Sequence, residues 1–148
     1  MTPGSTVTHA GLHFVWPDVP AGQADNVVSH GQSFRLSGTG QTFGFLATAT
    51  YGHASGTGTI TYTDGTTQQF TLNVPDWYAT PPAGSDPAIS MTYRNRSGNT
   101  QQAHAITVFY VGVPLQPGKT PSGVVLPDVS ATATSGVPAL HIFSLAVG

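Results

Sequence analysis

Cysteine and glutamate are both absent from this chain, and lysine occurs once. Without cysteine there is no disulfide framework, no thiolate zinc site and no sulfur nucleophile, and cysteine pairing gives no reading of the redox compartment. Four Lys plus Arg against six Asp leave 7% of the residues charged, where a quarter is usual. No basic stripe can be assembled from so few cations, so nucleic acid and anionic membrane are excluded as partners. Long apolar runs are missing as well. The longest, "ITVFYVGVPL" at 106 to 115, has ten residues and a proline, about half of what a bilayer-spanning helix needs. The opening "MTPGSTVTH" has neither the basic nor the apolar stretch of a signal peptide. A neutral, lysine-poor, Thr- and Gly-rich composition of this kind is expected of a module belonging to a longer secreted protein.

At 148 residues the chain has the size of one domain, able to bury roughly 70% of its unfolded surface around a single core. Apolar residues recur at every second position far more often than at helical spacing. Strands are predicted at 12–16, 33–37, 43–50, 57–63, 68–74, 88–94, 104–111, 121–126 and 139–147, separated by Gly, Pro, Asn and Asp clusters. The reading is all-β: an antiparallel two-sheet β-sandwich, jelly-roll-like, of about eight to nine strands. Residues 1–11 are expected to form a flexible N-terminal segment and 12–148 a single module.

The hairpin in "TGTITYTDGTTQQFTLNV" can be placed in register. Ile60 and Tyr62 on one arm and Phe70, Leu72 and Val74 on the other must share a face, and directly opposed residues do so, hence even must oppose even. A two-residue Asp-Gly loop would put the two apolar sets on opposite faces. A three-residue loop, Thr63-Asp64-Gly65, pairs Tyr62 with Thr66, Ile60 with Gln68 and Gly58 with Phe70, with Gly65 in the left-handed position of a G1 bulge. Replacing Gly65 with alanine is then expected to cost about 1 kcal/mol.

Few residues carry chemistry. His9 and His13 have the i, i+4 spacing of a zinc pair, which works on a helix; along one extended strand they would stand roughly 13 Å apart. No serine lies in a G-x-S-x-G context. Asp18, Asp64, Asp76 and Asp86 adjoin Pro or Gly, the habit of turn-forming Asp, and no acid–base pair stands out among the six. The chain is therefore read as non-catalytic. Asp25 and Asn26, in the Gly-flanked loop "AGQADNVVSHGQ", are candidate ligands of a structural calcium; the plainer reading is an Asx turn.

Aromatic placement is the remaining signal. Trp16, Tyr51, Trp77, Tyr78 and Tyr93 fall at strand ends or beside Pro and Gly, where sandwich folds display binding residues. In "LNVPDWYATPPAG" Trp77 is read either as a lid over the end of the core or as part of a sugar-stacking platform, with Tyr78 the better placed of the two for a surface role. Trp77, Tyr78, Tyr51, His53, Asn95 and Gln101 together supply the flat faces and neutral hydrogen-bonding groups that carbohydrate recognition requires.

The succession "PAGQADNVVSHGQSFRLSGTG", "YGHASGTGTITYTDGTTQQFTLNVPDW", "YRNRSGNTQ", "VPLQPGKTPSGVVLPD" and "LHIFSLAV" resembles the accessory C-terminal β-sandwich domains, galactose-binding-like or jelly-roll, of secreted bacterial glycoside hydrolases and related enzymes. The resemblance runs from about residue 16 to the end. It implies a non-catalytic, secreted, carbohydrate-associated module, whose partner is either a glycan or the parent catalytic domain on which it packs.

Overall fold

The structure is a computed structural model that describes every residue except Ala21, Ser97 and Asn99. Among the described residues eleven strands form in chain order: β1 (Thr6–His9), β2 (Leu12–Val15), β3 (Val27–Val28), β4 (Ser33–Arg35), β5 (Thr42–Thr50), β6 (Ala54–Tyr62), β7 (Thr67–Val74), β8 (Pro87–Arg96), β9 (Thr100–Pro114), β10 (Pro121–Val125) and β11 (Ala139–Val147). Each of the nine segments expected from period-two alternation holds one of them. The expected count of eight to nine falls short by β1 and β3. β3 is two residues long, and β1 has Val7 as its single apolar residue, so neither carries a readable alternation.

The strands make three antiparallel sheets: the hairpin β1-β2, a four-stranded sheet in the order β4-β10-β6-β7, and a five-stranded sheet in the order β3-β11-β5-β9-β8. The pairing is nested. β3 pairs with β11, β4 with β10, β5 with β9, and β6 with β7, while β8 is added at an edge of the larger sheet. The two large sheets share one core in a sandwich-like arrangement: Phe43, Phe45, Ala47, Ala49, Phe109, Leu140 and Ile142 of the five-stranded sheet meet Ile60, Tyr62, Phe70, Leu72, Val74 and Val124 of the other.

The β6–β7 hairpin has the predicted register. Ile60 opposes Gln68 and Gly58 opposes Phe70; the Gly65 N–H donates to the Tyr62 carbonyl at 3.0 Å, and Gly65 has φ +83°. A Cβ there meets nothing within 4 Å, so the cost of alanine comes from the backbone alone.

The N-terminal hairpin departs from the expectation. Residues 6–9, assigned to a flexible lead, pair with β2 across an Ala10-Gly11 turn whose φ values are 48° and 78°. Both are positive, as a two-residue type I′ turn demands, although the first is an alanine rather than the Asn, Asp or Gly that signals such turns. His9 and His13 consequently lie on two strands rather than one. His9 Nε2 is 2.8 Å from Asp86 Oδ1, and His13 Nδ1 is 3.0 Å from Thr8 Oγ1. Leu12, Phe14 and Trp16 then pack with Leu46 and Val108 as a second core on the outer face of the five-stranded sheet. Gly44 makes room for them: a Cβ there would run into Leu12 Cδ1 and Phe14 Cζ.

Candidate functional site

Where the hairpin stops, the outer face of the five-stranded sheet stays open. Trp16 stacks on Phe143, ring centroids 4.9 Å apart, and beyond that pair lies a cleft of about 710 Å³ whose lining includes Asn26, Thr48, Thr50, Trp77, Arg94 and His141. Strand periodicity puts these polar groups outside. Residues 43, 45, 47 and 49 of β5 face the shared core, so Thr48 and Thr50 face the cleft.

Trp77 reaches the cleft by an irregularity of the sheet. β5 and β9 pair from Thr42↔Pro114 to Ala47↔Phe109, and past that point the segment following β7 inserts between them. Ala49 N–H donates to the Pro75 carbonyl (3.0 Å), Trp77 N–H to the Ala49 carbonyl (2.9 Å), and Thr107 N–H to the Trp77 carbonyl (3.0 Å). Asp76 locks the insertion by accepting from Gly52 N–H (2.6 Å) through one carboxylate oxygen and from Tyr78 N–H (2.8 Å) through the other. Trp77 is thus neither a lid over the core nor a projecting loop residue; it is half-buried in the sheet and lines the cleft.

At one end of the cleft four side chains form a hydrogen-bonded row whose polarity can be worked out. The Asp25 carboxylate can only accept, so Asn26 Nδ2 donates to its Oδ1 (3.0 Å). That orients the amide so that Asn26 Oδ1 accepts from His141 Nδ1–H (2.8 Å), and His141 Nε2 is left to accept from the Thr50 hydroxyl (3.0 Å). Burial pushes the His141 pKa below its ordinary value, against the smaller opposing pull of the Asp25 charge; this favours the neutral ring, in which Nε2 accepts from the Thr50 hydroxyl. Because the Thr50 proton is engaged by His141, its oxygen lone pairs remain for a ligand donor.

The same contacts bear on calcium. Asn26 Oδ1 and Asp25 Oδ1 both accept hydrogen bonds within the row, two oxygens are far below the six to eight that calcium takes, and no group of three or more His, Cys, Asp or Glu among the described residues is placed to hold a metal ion.

At the other end Arg94 of β8 lies over two rings, its Cζ 4.7 Å from the centroid of Tyr78 and 5.6 Å from that of Trp77. Its Nε donates to Gln102 Oε1 at 2.8 Å. Tyr78 is itself fixed: its ring stacks on His104 at 3.5 Å and 14°, and its carbonyl lies 2.8 Å from His104 Nε2.

Of the residues singled out from the sequence, Trp16, Trp77, Tyr93, Asp25, Asn26 and Asn95 line this cleft. Tyr78 lies beneath Arg94 with one ring face covered by His104, and Gln101 opposes Asn95 across β8 and β9. Tyr51, at φ +58°, is exposed at the β5–β6 turn. His53 bonds Asn73 and lines a separate concavity of about 590 Å³. Thr48, Thr50, Arg94 and His141 escape the sequence reading as site residues; alternation marks 48, 50 and 141 as outward-facing, but nothing local marks them as neighbours.

No protein-family model matches the chain, and no curated protein matches it.

Proposed function

We propose that the chain is a non-catalytic carbohydrate-binding module, a β-sandwich of the jelly-roll class that takes its glycan in the cleft on the outer face of the five-stranded sheet. The nested order of strand pairs supports the jelly-roll assignment, since two four-stranded sheets joined through Greek keys pair in that way. The observation that carries the binding reading is the cleft itself: about 710 Å³ in which Trp77 stands beside Thr50 and Asn26, held in orientation by His141. Sugar hydroxyls demand such a mixture of flat apolar surface and a few oriented donors and acceptors. Secretion, and attachment to a bacterial glycoside hydrolase or related enzyme, rest on the resemblance of the sequence segments given above. Affinity for a single site of this openness is expected in the micromolar to millimolar range.

Affinity electrophoresis through gels containing soluble polysaccharides tests the reading. The wild type should be retarded by at least one polymer, Trp77→Ala should abolish the retardation, and Thr50→Val, which keeps the side-chain shape, should weaken it. Retardation that survives both substitutions removes the cleft as the site. Free migration in every polymer points instead to a structural domain that packs on its parent enzyme without binding glycan.

A further inference from the structure

The polar row at one end of the cleft accounts for a neutral ligand, but Arg94 at the other end is not needed for one. Among the described residues lining the cleft it is the only arginine or lysine, in a chain that has four in all. The lone lysine, Lys119, pairs with Asp64 at 3.1 Å, whereas Arg94 is half-buried and forms no ion pair among the described residues. Desolvating a guanidinium without a counter-ion is unfavourable; here it is partly offset by the Tyr78 and Trp77 rings beneath it. The support is itself built in layers, with Gln102 holding Nε and His104 holding the Tyr78 ring. A fork immobilised in this way, its terminal Nη groups without an acceptor among the described residues, matches the geometry of a carboxylate.

Asp25 fixes the polarity of the arrangement. It precedes β3, at the opposite edge of the sheet from β8. An anionic group entering the cleft is repelled at the Asp25 end and drawn to Arg94.

We propose that the cleft takes an acidic glycan, with a uronate carboxylate seated bidentate on Arg94. The inference rests on the carbohydrate reading of the same cleft. The test is affinity electrophoresis with polygalacturonate, alginate and hyaluronate, each in native and carboxyl-reduced form, beside a sulfated neutral polysaccharide. Wild type, Arg94→Met and Arg94→Lys are compared after thermal melting has shown each to be folded. At least one native polyuronate should bind, its carboxyl-reduced form about ten- to a hundredfold more weakly. Arg94→Met should lower binding of the native polymer by a similar factor and that of the reduced polymer by clearly less, and Arg94→Lys should restore part of the native binding. Equal binding of native and reduced polymers, or indifference to Arg94→Met, overturns the acid preference while the carbohydrate reading stands. Retention by the sulfated polymer alone overturns the carboxylate. Free migration in all of them overturns the acid preference, and the carbohydrate reading falls with it if the neutral polysaccharides of the first test also leave the wild type unretarded.

Discussion

The two faces of the five-stranded sheet are built from the same strands and do different things. Inward, β5 offers Phe43, Phe45, Ala47 and Ala49, all fully buried in the core shared with the second sheet. Outward, the same strand offers Gly44, Leu46, Thr48 and Thr50, and this series changes character along its length. Gly44 and Leu46 lie under the β1–β2 hairpin; Thr48 and Thr50 line the open cleft. One face is closed by a whole sheet and the other by a two-stranded flap that covers part of it. The uncovered remainder is polar, and its groups are satisfied partly by one another, Thr48 by the Thr107 carbonyl and Thr50 by His141, and partly by solvent or a ligand in its place.

The contrast between the faces is most easily broken from inside. Phe45 is fully buried and touches two further rings, with centroids 4.4 Å from Phe43 and 5.4 Å from Phe70. Phe45→Ala should cost about 3–5 kcal/mol, read as a lowered midpoint in urea unfolding; a loss below about 1 kcal/mol would mean that the two large sheets do not close on one core. On the outer face Gly44→Val should cost less, about 1–3 kcal/mol, because the flap can lift where a sheet cannot. Its signature is a red-shifted Trp16 emission and faster proteolysis of residues 1–16. To isolate Trp16, the emission is compared in a Trp77→Phe background. An unchanged spectrum and digestion pattern would place the hairpin elsewhere.

The smallest effect belongs to the open half. His141 is neutral in its row and its folded-state pKa is depressed by burial. The unfolded chain therefore takes up the His141 proton first as pH falls through about 6.5. The contribution is present above that pH and is lost as acid carries the protein down through the lower folded-state pKa. Compared with His141→Gln, the wild type should lose its stability advantage progressively below about pH 6.5, measured by denaturant unfolding across the range; an advantage that stays constant to about pH 4.5 would contradict the neutral row. Asp64, whose pKa is lowered to about 2 chiefly by hydrogen bonds from Thr66, lies at the exposed hairpin tip. Its own loss of stabilisation falls at more acid pH, as the carboxylate protonates toward that value, and is separable from that of His141.

Legibility in the sequence followed distance along the chain. The Asp-Gly turn and its flanking alternation lie within one window of 18 residues, and that window alone implies the register of β6 and β7, the left-handed Gly65 and the shared face of Ile60, Tyr62, Phe70 and Leu72. The cleft is the opposite case. His141 meets Asn26 across 115 positions and Thr50 across 91, and Arg94 meets Trp77 only because the segment after β7 wedges between two parted strands. The Ala10-Gly11 turn lay between these extremes: it is local, but without Asn-Gly or Asp-Gly chemistry it gave no signal.

By itself, then, the sequence determined a sparsely charged all-β chain, the places of its longer strands and one hairpin's register, because backbone pleat and turn conformation respond to neighbours a few residues away. The tertiary structure alone decided which outward-facing groups meet, because strand order and the lateral insertion of Trp77 are set by how remote apolar faces close on one another, and the polar residues they carry to the surface take no part in that choice.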